Sequence, residues 1–252
     1  HIVDGSTIFD AWSDQPWVNE GARVRVSIVC FGTRETQTKL NGAPVNQVNA
    51  DLTALTDEGG IDTTGAKKQK ENLECCFLGI QKTGEFEVDG ATARKWLVEP
   101  NASGQPNRNV VRPWFNGIDI MRRPRDCWIV DYGTDTNQNE AARYALPYAH
   151  LDERVRPKRV GKREERTNTQ WWIFQWARPL LRRAIKNKTR FIATPEIAQQ
   201  RVFAWVDARI TPDKNLTIVA RDDDTTFGVL HSKLHKVWAL RVGTSLEDRP
   251  RY

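Results

Sequence analysis

Short apolar runs in the last quarter of the chain constrain its fold most. Between positions 190 and 232 the sequence contains, in order, RFIATP, RVFAWVD, LTIVARD and FGVLHS. Runs of this length, rich in β-branched and aromatic residues, are typical of short strands. Segments with helical spacing lie before and after them in mixed order, and no internal repeat is present. The pattern therefore predicts an α+β fold of short mixed strands and helices.

The first third of the chain is predicted to be rich in β-structure. ARVRVSIVCFG, residues 22–32, alternates and then becomes uniformly apolar, which predicts a strand near the middle of a sheet. IFDAWSDQPWV, residues 8–18, is punctuated by Asp and Pro and is interpreted as a short helical or loop segment. The Asn41-Gly42 dipeptide lies between two apolar pairs and predicts a hairpin.

Helical spacing occurs in several later segments. CCFLGIQKTGEFEVDGATARKWLV predicts a strand, a Gly turn and a helix over about 89–98, and CWIVDYG at 127–133 predicts a further strand. NEAARYALPYAHLDERVRP is helical in spacing up to Pro147. TQWWIFQWARPLLRRAIKN predicts a helix kinked near Pro179, and another helix is predicted over about 232–240.

Polar stretches suggest how the chain is divided. Residues 56–72 are charged and contain glycine, so they predict a loop or linker and the best domain boundary. We therefore divide the chain into residues 1–60 and 61–252, within the size range of one large or two small domains. NASGQPNRNVVRPW, residues 101–114, is a second linker-like stretch.

Charge is distributed unevenly along the chain. Residues 1–100 carry 10 basic and 15 acidic side chains, whereas residues 101–252 carry 28 basic and 17 acidic ones. Thirteen Lys or Arg lie between 154 and 190, with aromatic residues among them. Such a density of cations can neutralise phosphates and release counterions, although basic helices are also often only solvated faces.

The compartment is predicted from what the sequence lacks. No apolar run is long enough to span a membrane, and the N-terminus has no signal-peptide pattern. Four Cys, at 30, 75, 76 and 127, form no CxxC pair and no regular framework. The sequence therefore predicts a soluble cytoplasmic protein without a membrane partner.

Familiar catalytic and metal motifs are missing. The sequence contains no GxGxxG, no GxxxxGK[ST] and no GxSxG. His231 and His235 lie four residues apart but have no third ligand nearby, so no metal site is predicted.

Three consecutive aspartates, Asp222 to Asp224, allow three interpretations. They can bind a divalent cation, but neighbours on a strand point to alternating faces, so at most two converge. They can accept hydrogen bonds from cytosine amino groups, or hold arginines for base contact. They can also form only a solvated turn before a strand at TTFG.

Five ordered motifs resemble the C-terminal part of MmeI-like adenine DNA methyltransferases, which combine restriction and modification or only modify. They are VVRPWFNGIDIMRRPRDCWIVDYG, HLDERVRPKR with WW, RFIATPEIAQQRVFAWVD, ARDDDTTFGVLHSKLHKVWALRVGT and PRY. IFDAWSDQPWVNEGARVRVSIVCFG is similar to the last portion of the family's methyltransferase domain. The resemblance implies that residues 1–60 are the end of that domain and residues 61–252 the target recognition domain.

The resemblance also implies how the work is divided. The family's NPPY-type tetrapeptide, its S-adenosylmethionine motif and its nuclease motif are absent here. We therefore expect a non-catalytic piece with no cofactor of its own, from a parent that uses S-adenosylmethionine. Its expected partner is double-stranded DNA, in which it reads a short sequence.

Site residues follow from the resemblance and the residue chemistry. Arg221, Asp223 and Thr225 are expected to share one strand face in the major groove, where an Arg and an Asp match one G·C pair. Glu196, with Gln199 and Gln200, stands where relatives often carry basic residues, and it is expected to contact bases, as is Thr189. The expected DNA-backbone contacts are Arg122, Arg123, Arg154, Arg156, Lys158, Arg159, Arg190, Arg201 and His231.

A different class of function remains open. Basic chains rich in tryptophan can also be general nucleic-acid-binding or RNA-binding interaction modules without a methyltransferase context.

Overall fold

A computed structural model of the chain describes residues 5–33, 37–55, 63–67, 69–161, 164–246 and 249–252. The chain forms two compact units. The first consists of His1–Gln69 with Ser245–Asp248, and the second of Lys70–Thr244 with Arg249–Tyr252.

The first unit is built on one long antiparallel hairpin, β1 (Thr7–Asn19) and β2 (Ala22–Gly32). Further strands among the described residues of this unit are β3 (Lys39–Leu40), β4 (Ala43–Pro44), β5 (Gln47–Val48) and β6 (Ala54–Leu55). The sheet order is β2-β1-β3-β4, with β3 parallel to β1, and β5 pairs with β6. Ile8, Ala11 and Val48 form its small buried core.

Two expectations for this unit were wrong. Residues 8–18, interpreted as helical or loop, lie in strand β1, whose register shifts between Trp12 and Gln15 where Asp14 takes a φ of 53°. This irregularity, with Pro16 in the strand, conceals the alternation of a strand. The strand at 22–32 is confirmed, but among the described strands it lies at the sheet edge rather than in the middle.

The hairpin at Asn41-Gly42 is confirmed. These residues join β3 to β4 with φ values of 53° and 81°. A two-residue hairpin turn favours positive φ at both positions, which Asn and Gly tolerate best.

The second unit contains two four-stranded sheets. Its strands are β7 (Cys76–Leu78), β8 (Glu87–Asp89), β9 (Val111–Phe115), β10 (Cys127–Val130), β11 (Arg190–Pro195), β12 (Ala204–Asp207), β13 (Thr211–Pro212) and β14 (Leu216–Val219). One sheet has the order β13-β9-β10-β8, and the other, antiparallel throughout, has the order β12-β11-β14-β7. Two short strands near the end of the chain are β15 (Thr244–Leu246) and β16 (Arg249–Arg251).

Nine α-helices lie in the described part of the second unit. They are α1 (Gly90–Val98), α2 (Gly117–Met121), α3 (Gln138–Ala141), α4 (Ala145–Arg154), α5 (Arg156–Arg159), α6 (Glu165–Thr169), α7 (Pro179–Ile185), α8 (Asp224–His231) and α9 (Lys233–Val242). Short 3-10 turns occupy Lys70–Asn72 and Asn107–Asn109. The large core includes Phe86, Trp114, Phe191 and Ile218. The predicted α+β class is confirmed.

Several elements of this unit match the sequence expectations. The helix over 89–98 is α1, capped by Asp89, and the helix over 232–240 is α9. The strands predicted at CWIVDYG, RFIATP, RVFAWVD and LTIVARD are β10, β11, β12 and β14. Residues 56–62 and 68 of the predicted linker lie outside the described residues.

Other predictions for this unit were wrong. Within TQWWIFQWARPLLRRAIKN the predicted long helix is replaced by the seven-residue helix α7 near its end, because Pro179 begins α7 rather than kinking a longer helix. Residues 171–174 form a turn whose four side chains are all buried. The helical segment continues past Pro147, which lies in the first turn of α4.

Residues 101–114 and 227–232 were also misassigned. The first stretch is not a linker, because Asn107 is buried, donates to the Trp96 carbonyl oxygen at 2.8 Å, and leads into β9. FGVLHS, predicted as a strand, belongs largely to helix α8. None of the helices in the described ranges is both long and apolar enough to cross a membrane.

Candidate nucleic-acid interface

The aspartate run begins a helix. The Asp223 carboxylate accepts hydrogen bonds from the Thr226 backbone N–H at 2.7 Å and from the Thr226 hydroxyl at 2.9 Å, so Asp223 is the N-cap of α8. These two hydrogen bonds lower the pKa of Asp223. The expected strand through Arg221, Asp223 and Thr225 is therefore wrong, and these side chains do not share a strand face.

Residues from the start of β11 lie against this run. Lys188 Nζ contacts Asp222 Oδ1 at 3.0 Å. Arg190 Nη2 donates to the Asp222 carbonyl oxygen at 3.1 Å and to Asp224 Oδ1 at 2.8 Å. We name residues 188–190 and 221–225 together the aspartate corner. Arg221 donates to the Glu71 carbonyl oxygen at 2.8 Å, and Thr225 is exposed in the first turn of α8.

Two aromatic rings support the aspartate corner. The Arg190 guanidinium carbon lies 3.8 Å from the centre of the Trp205 ring, and Trp205 stacks on Phe227 with an interplanar angle of 16°. Stacking on an aromatic face restricts the guanidinium and adds a cation–π attraction. Lys188 and Trp205 were not among the predicted site residues, although Lys188 lies only two residues before Arg190, the first residue of a predicted strand.

Glu196 is not part of this corner. It follows the last residue of β11, whereas Thr189 precedes the first, so the two lie roughly 20 Å apart along the strand. Arg251 donates to Glu196 Oε1 at 2.5 and 2.8 Å, and the Glu196 side chain is 17% exposed. Thr189 lies between Lys188 and Arg190, which contact the run at 221–225, whereas Glu196 lies apart from it.

Arg159 is buried, contrary to its expected place at a phosphate contact. Its guanidinium donates to the carbonyl oxygens of Thr83 and Trp171 at 2.9 Å each, and to those of Lys82 and Ile173. The residue is 3% exposed, and burial lowers its pKa to about 10, so it remains a cation at neutral pH. Its donors hold two chain segments together and do not face a DNA backbone.

Arg201 and His231 also have structural partners. Arg201 donates to the Thr194 hydroxyl at 3.3 Å and to the Pro250 carbonyl oxygen at 3.0 Å. His231 Nε2 lies 3.1 Å from the Phe203 carbonyl oxygen. Both residues pack within the second unit, so the structure gives little support to their expected phosphate contacts.

Five of the other expected backbone contacts remain accessible, whereas Arg190 is held in the aspartate corner. Arg154, Arg156 and Lys158 are each more than half exposed, and their partners are Glu153, Asp152 and Glu85. Exposed pairs of this kind contribute about 0–1 kcal/mol, so their cations can exchange a carboxylate for a phosphate. Arg122 and Arg123 are exposed after α2 and make no ion pair with the described residues.

Further cations without partners lie outside the predicted basic region. Arg112 and Arg143 line one cleft of the second unit, and neither guanidinium bonds to another described residue. Because Arg112 and Arg143 are far apart in the sequence, their shared place at this cleft could not be predicted from it.

The residues considered for a metal do not converge. His235 Nδ1 lies 2.9 Å from the Leu230 carbonyl oxygen, and its Nε2 lies 3.0 Å from the Tyr252 hydroxyl. The part of the chain that the structure describes contains no group of three potential ligands that could hold a metal ion.

A comparison with solved structures finds this fold in a restriction-modification enzyme. That enzyme is the type IIL protein MmeI, whose structure was determined in complex with DNA. The likeness has a TM-score of 0.69 at 20% sequence identity and covers 98% of this chain. It covers 34% of the MmeI chain, so the present chain spans about a third of that protein. The expected resemblance is confirmed at the level of the fold.

Comparisons with protein-family models and with curated protein sequences find no match.

Proposed function

We propose that the chain is the double-stranded DNA recognition module of an adenine-N6 DNA methyltransferase from a restriction-modification system. Residues 1–60 are the end of the methyltransferase domain, and residues 61–252 are the target recognition domain. The parent protein carries the catalytic groups and uses S-adenosylmethionine, and this chain holds no cofactor of its own.

The observation that carries this proposal is the shared fold with an enzyme solved on DNA. The second unit adds suitable chemistry, because exposed cations such as Arg122 and Arg123 have no partner among the described residues. Such cations neutralise phosphates without sequence preference. The aspartate corner adds donors and acceptors in fixed positions, which is what reading base edges requires.

The base-reading proposal takes a different geometry from the one that the sequence suggested. The Asp223 carboxylate caps α8, so we expect the side chains of Arg221, Thr225 and Thr189 rather than that of Asp223 to contact bases. Asp222 and Asp224 hold Lys188 and Arg190 in place. Glu196 remains a separate candidate, tied to Arg251.

The direct test is the binding of the full chain to labelled oligonucleotides. Fluorescence anisotropy would compare duplex DNA, single-stranded DNA and duplex RNA of equal length over a range of salt concentrations. We expect duplex DNA to bind best, with an affinity that falls steeply with salt because counterions are released. An affinity that does not change with salt, or that is equal for all three nucleic acids, contradicts the proposal.

A second experiment tests whether the chain recognises a particular DNA sequence. Sequencing duplexes that the chain selects from a random library should give one short preferred sequence. Arg221→Gln should relax the preference at one position, since a good base contact contributes about 1–3 kcal/mol of discrimination. Arg122→Gln should weaken binding to all sequences alike.

A general nucleic-acid-binding or RNA-binding module is the alternative. It predicts preferred binding of single strands or RNA and no selected sequence, because stacking on aromatic rings tolerates every base. The exposed Trp176 and Trp238, at 50% and 48%, are the features that favour it.

A further inference from the structure

A polar cleft of about 400 Å³ opens in the second unit beyond the end of β10. Its wall is formed by the residues that follow this strand, by the turn between α3 and α4, and by α7. The aspartate corner contributes no residue to this cleft.

The floor of the cleft is electrically neutral. Arg182 donates to both carboxylate oxygens of Asp131, at 2.8 and 2.9 Å, and the Asp131 side chain is 1% exposed. The Gly133 backbone N–H donates to the same carboxylate at 2.9 Å. Each of these charges is satisfied by the other, so the pair fixes the floor without attracting a ligand.

The rim carries two cations and one acidic residue, so its net charge is positive. Arg112 extends from β9, and Arg143 lies between α3 and α4. The guanidinium groups of both residues lack a hydrogen bond or ion pair with any described residue. Glu140 is the acidic residue of the rim, and its carboxylate already accepts from the Asn137 backbone N–H at 3.2 Å.

We propose that this cleft binds one phosphate group of the DNA backbone, with Arg112 and Arg143 as its ligands. Guanidinium groups match phosphate oxygens geometrically and form charge-assisted hydrogen bonds with them. The inference rests on the proposed function for the source of the phosphate, because the same cleft chemistry would accept a free phosphate ion.

The first experiment compares two double variants of the full chain that change the net charge equally. Arg112→Gln/Arg143→Gln removes the cleft cations. Arg94→Gln/Arg209→Gln removes two exposed cations that already pair with Asp126 and Asp207. We expect the cleft variant to bind duplex DNA about tenfold more weakly, and its salt slope to fall by about 0.9 for the lost phosphate contact. Equal losses in the two variants would overturn the proposal.

The second experiment separates the possible sources of the phosphate. The melting temperatures of the wild-type chain and of the cleft variant are measured with and without inorganic phosphate. Because phosphate also stabilises proteins nonspecifically, only a larger increase in the wild-type chain than in the cleft variant indicates binding in the cleft. If the cleft variant binds duplex DNA more weakly, and phosphate raises the two melting temperatures equally, the cleft binds the DNA backbone, as we propose. A phosphate-specific shift without any effect on DNA binding overturns the DNA assignment. If the wild-type chain binds no duplex DNA at all, the proposed function itself fails.

Discussion

Asp223 and Thr226 are joined by two hydrogen bonds, from the backbone N–H and from the hydroxyl of Thr226 to the two carboxylate oxygens of Asp223. This arrangement satisfies one of the unpaired N–H groups in the first turn of α8 and fixes the direction in which that helix begins. The aspartate corner therefore depends on a helix cap and not on the alternation of a strand.

The loss of stability on replacing Asp223 should depend on whether the new side chain can cap α8. Asp223→Ala should lower the free energy of unfolding by about 1 kcal/mol, whereas Asp223→Asn, which retains a capping oxygen, should cost only a few tenths. Chemical denaturation of both variants measures this difference. If Asp223→Asn is as destabilising as Asp223→Ala, the negative charge rather than the cap hydrogen bond is what stabilises α8.

Arg159 should be a stability determinant, in contrast to its neighbours. Arg159→Met removes the donors to four carbonyl oxygens, two of them in fully buried hydrogen bonds, and should lower the free energy of unfolding by about 3–5 kcal/mol. Arg156→Met is the matched control, because Arg156 is half exposed and should cost less than about 1 kcal/mol. If Arg159→Met lowers the free energy of unfolding only slightly but weakens DNA binding, Arg159 contacts DNA and our assignment is wrong.

His150 should make stability depend on pH. Its ring packs edge-on against Trp96 at 5.6 Å, its Nε2 is buried without a hydrogen bond among the described residues, and burial lowers its pKa. The unfolded chain takes up a proton near the ordinary His pKa of about 6.5, whereas the folded chain takes it up only at lower pH. The free energy of unfolding should therefore fall as the pH decreases below about 6.5.

The variant His150→Phe removes this titration while keeping a ring against Trp96. Melting temperatures measured between about pH 7.5 and pH 5 should fall less for the variant than for the wild-type chain. Parallel profiles would show that His150 is protonated equally in both states, since carboxylates titrate mostly below this range.

Sequence patterns predicted elements whose geometry depends on a few adjacent residues. The Asn41-Gly42 turn and the strand β11 follow from local backbone preference and local apolar content. Asp89 at the start of α1 is a similar signal, because a capping carboxylate acts within three residues.

The misassigned elements depend on competing or distant interactions. Thr225, Thr226 and Phe227 have β-propensity, but the cap at Asp223 favours a helix there. In the same way, Trp171 and Ile173 lie in a segment predicted to be helical, yet their carbonyl oxygens accept from the Arg159 side chain. Tertiary contacts of this kind override local propensity.

The candidate site shows the same limit. In the sequence Arg159 is not distinguishable from Arg156 or Lys158, because its burial depends on carbonyl oxygens at positions 82–83 and 171–173. The cleft with Arg112 and Arg143 could not be predicted either, because separate elements of the fold bring those residues together.

The pairing of β7 with β14 also governs when the second unit can form during synthesis. Leu78 pairs with Thr217 and Cys76 with Val219, so the sheet joins strands separated by roughly 140 residues, a long loop to close. At about 5–20 residues per second, a ribosome delivers β14 roughly 7–30 s after β7. Until then β14 is missing from its place between β11 and β7, and the open strand edges are exposed to aggregation and to chaperones.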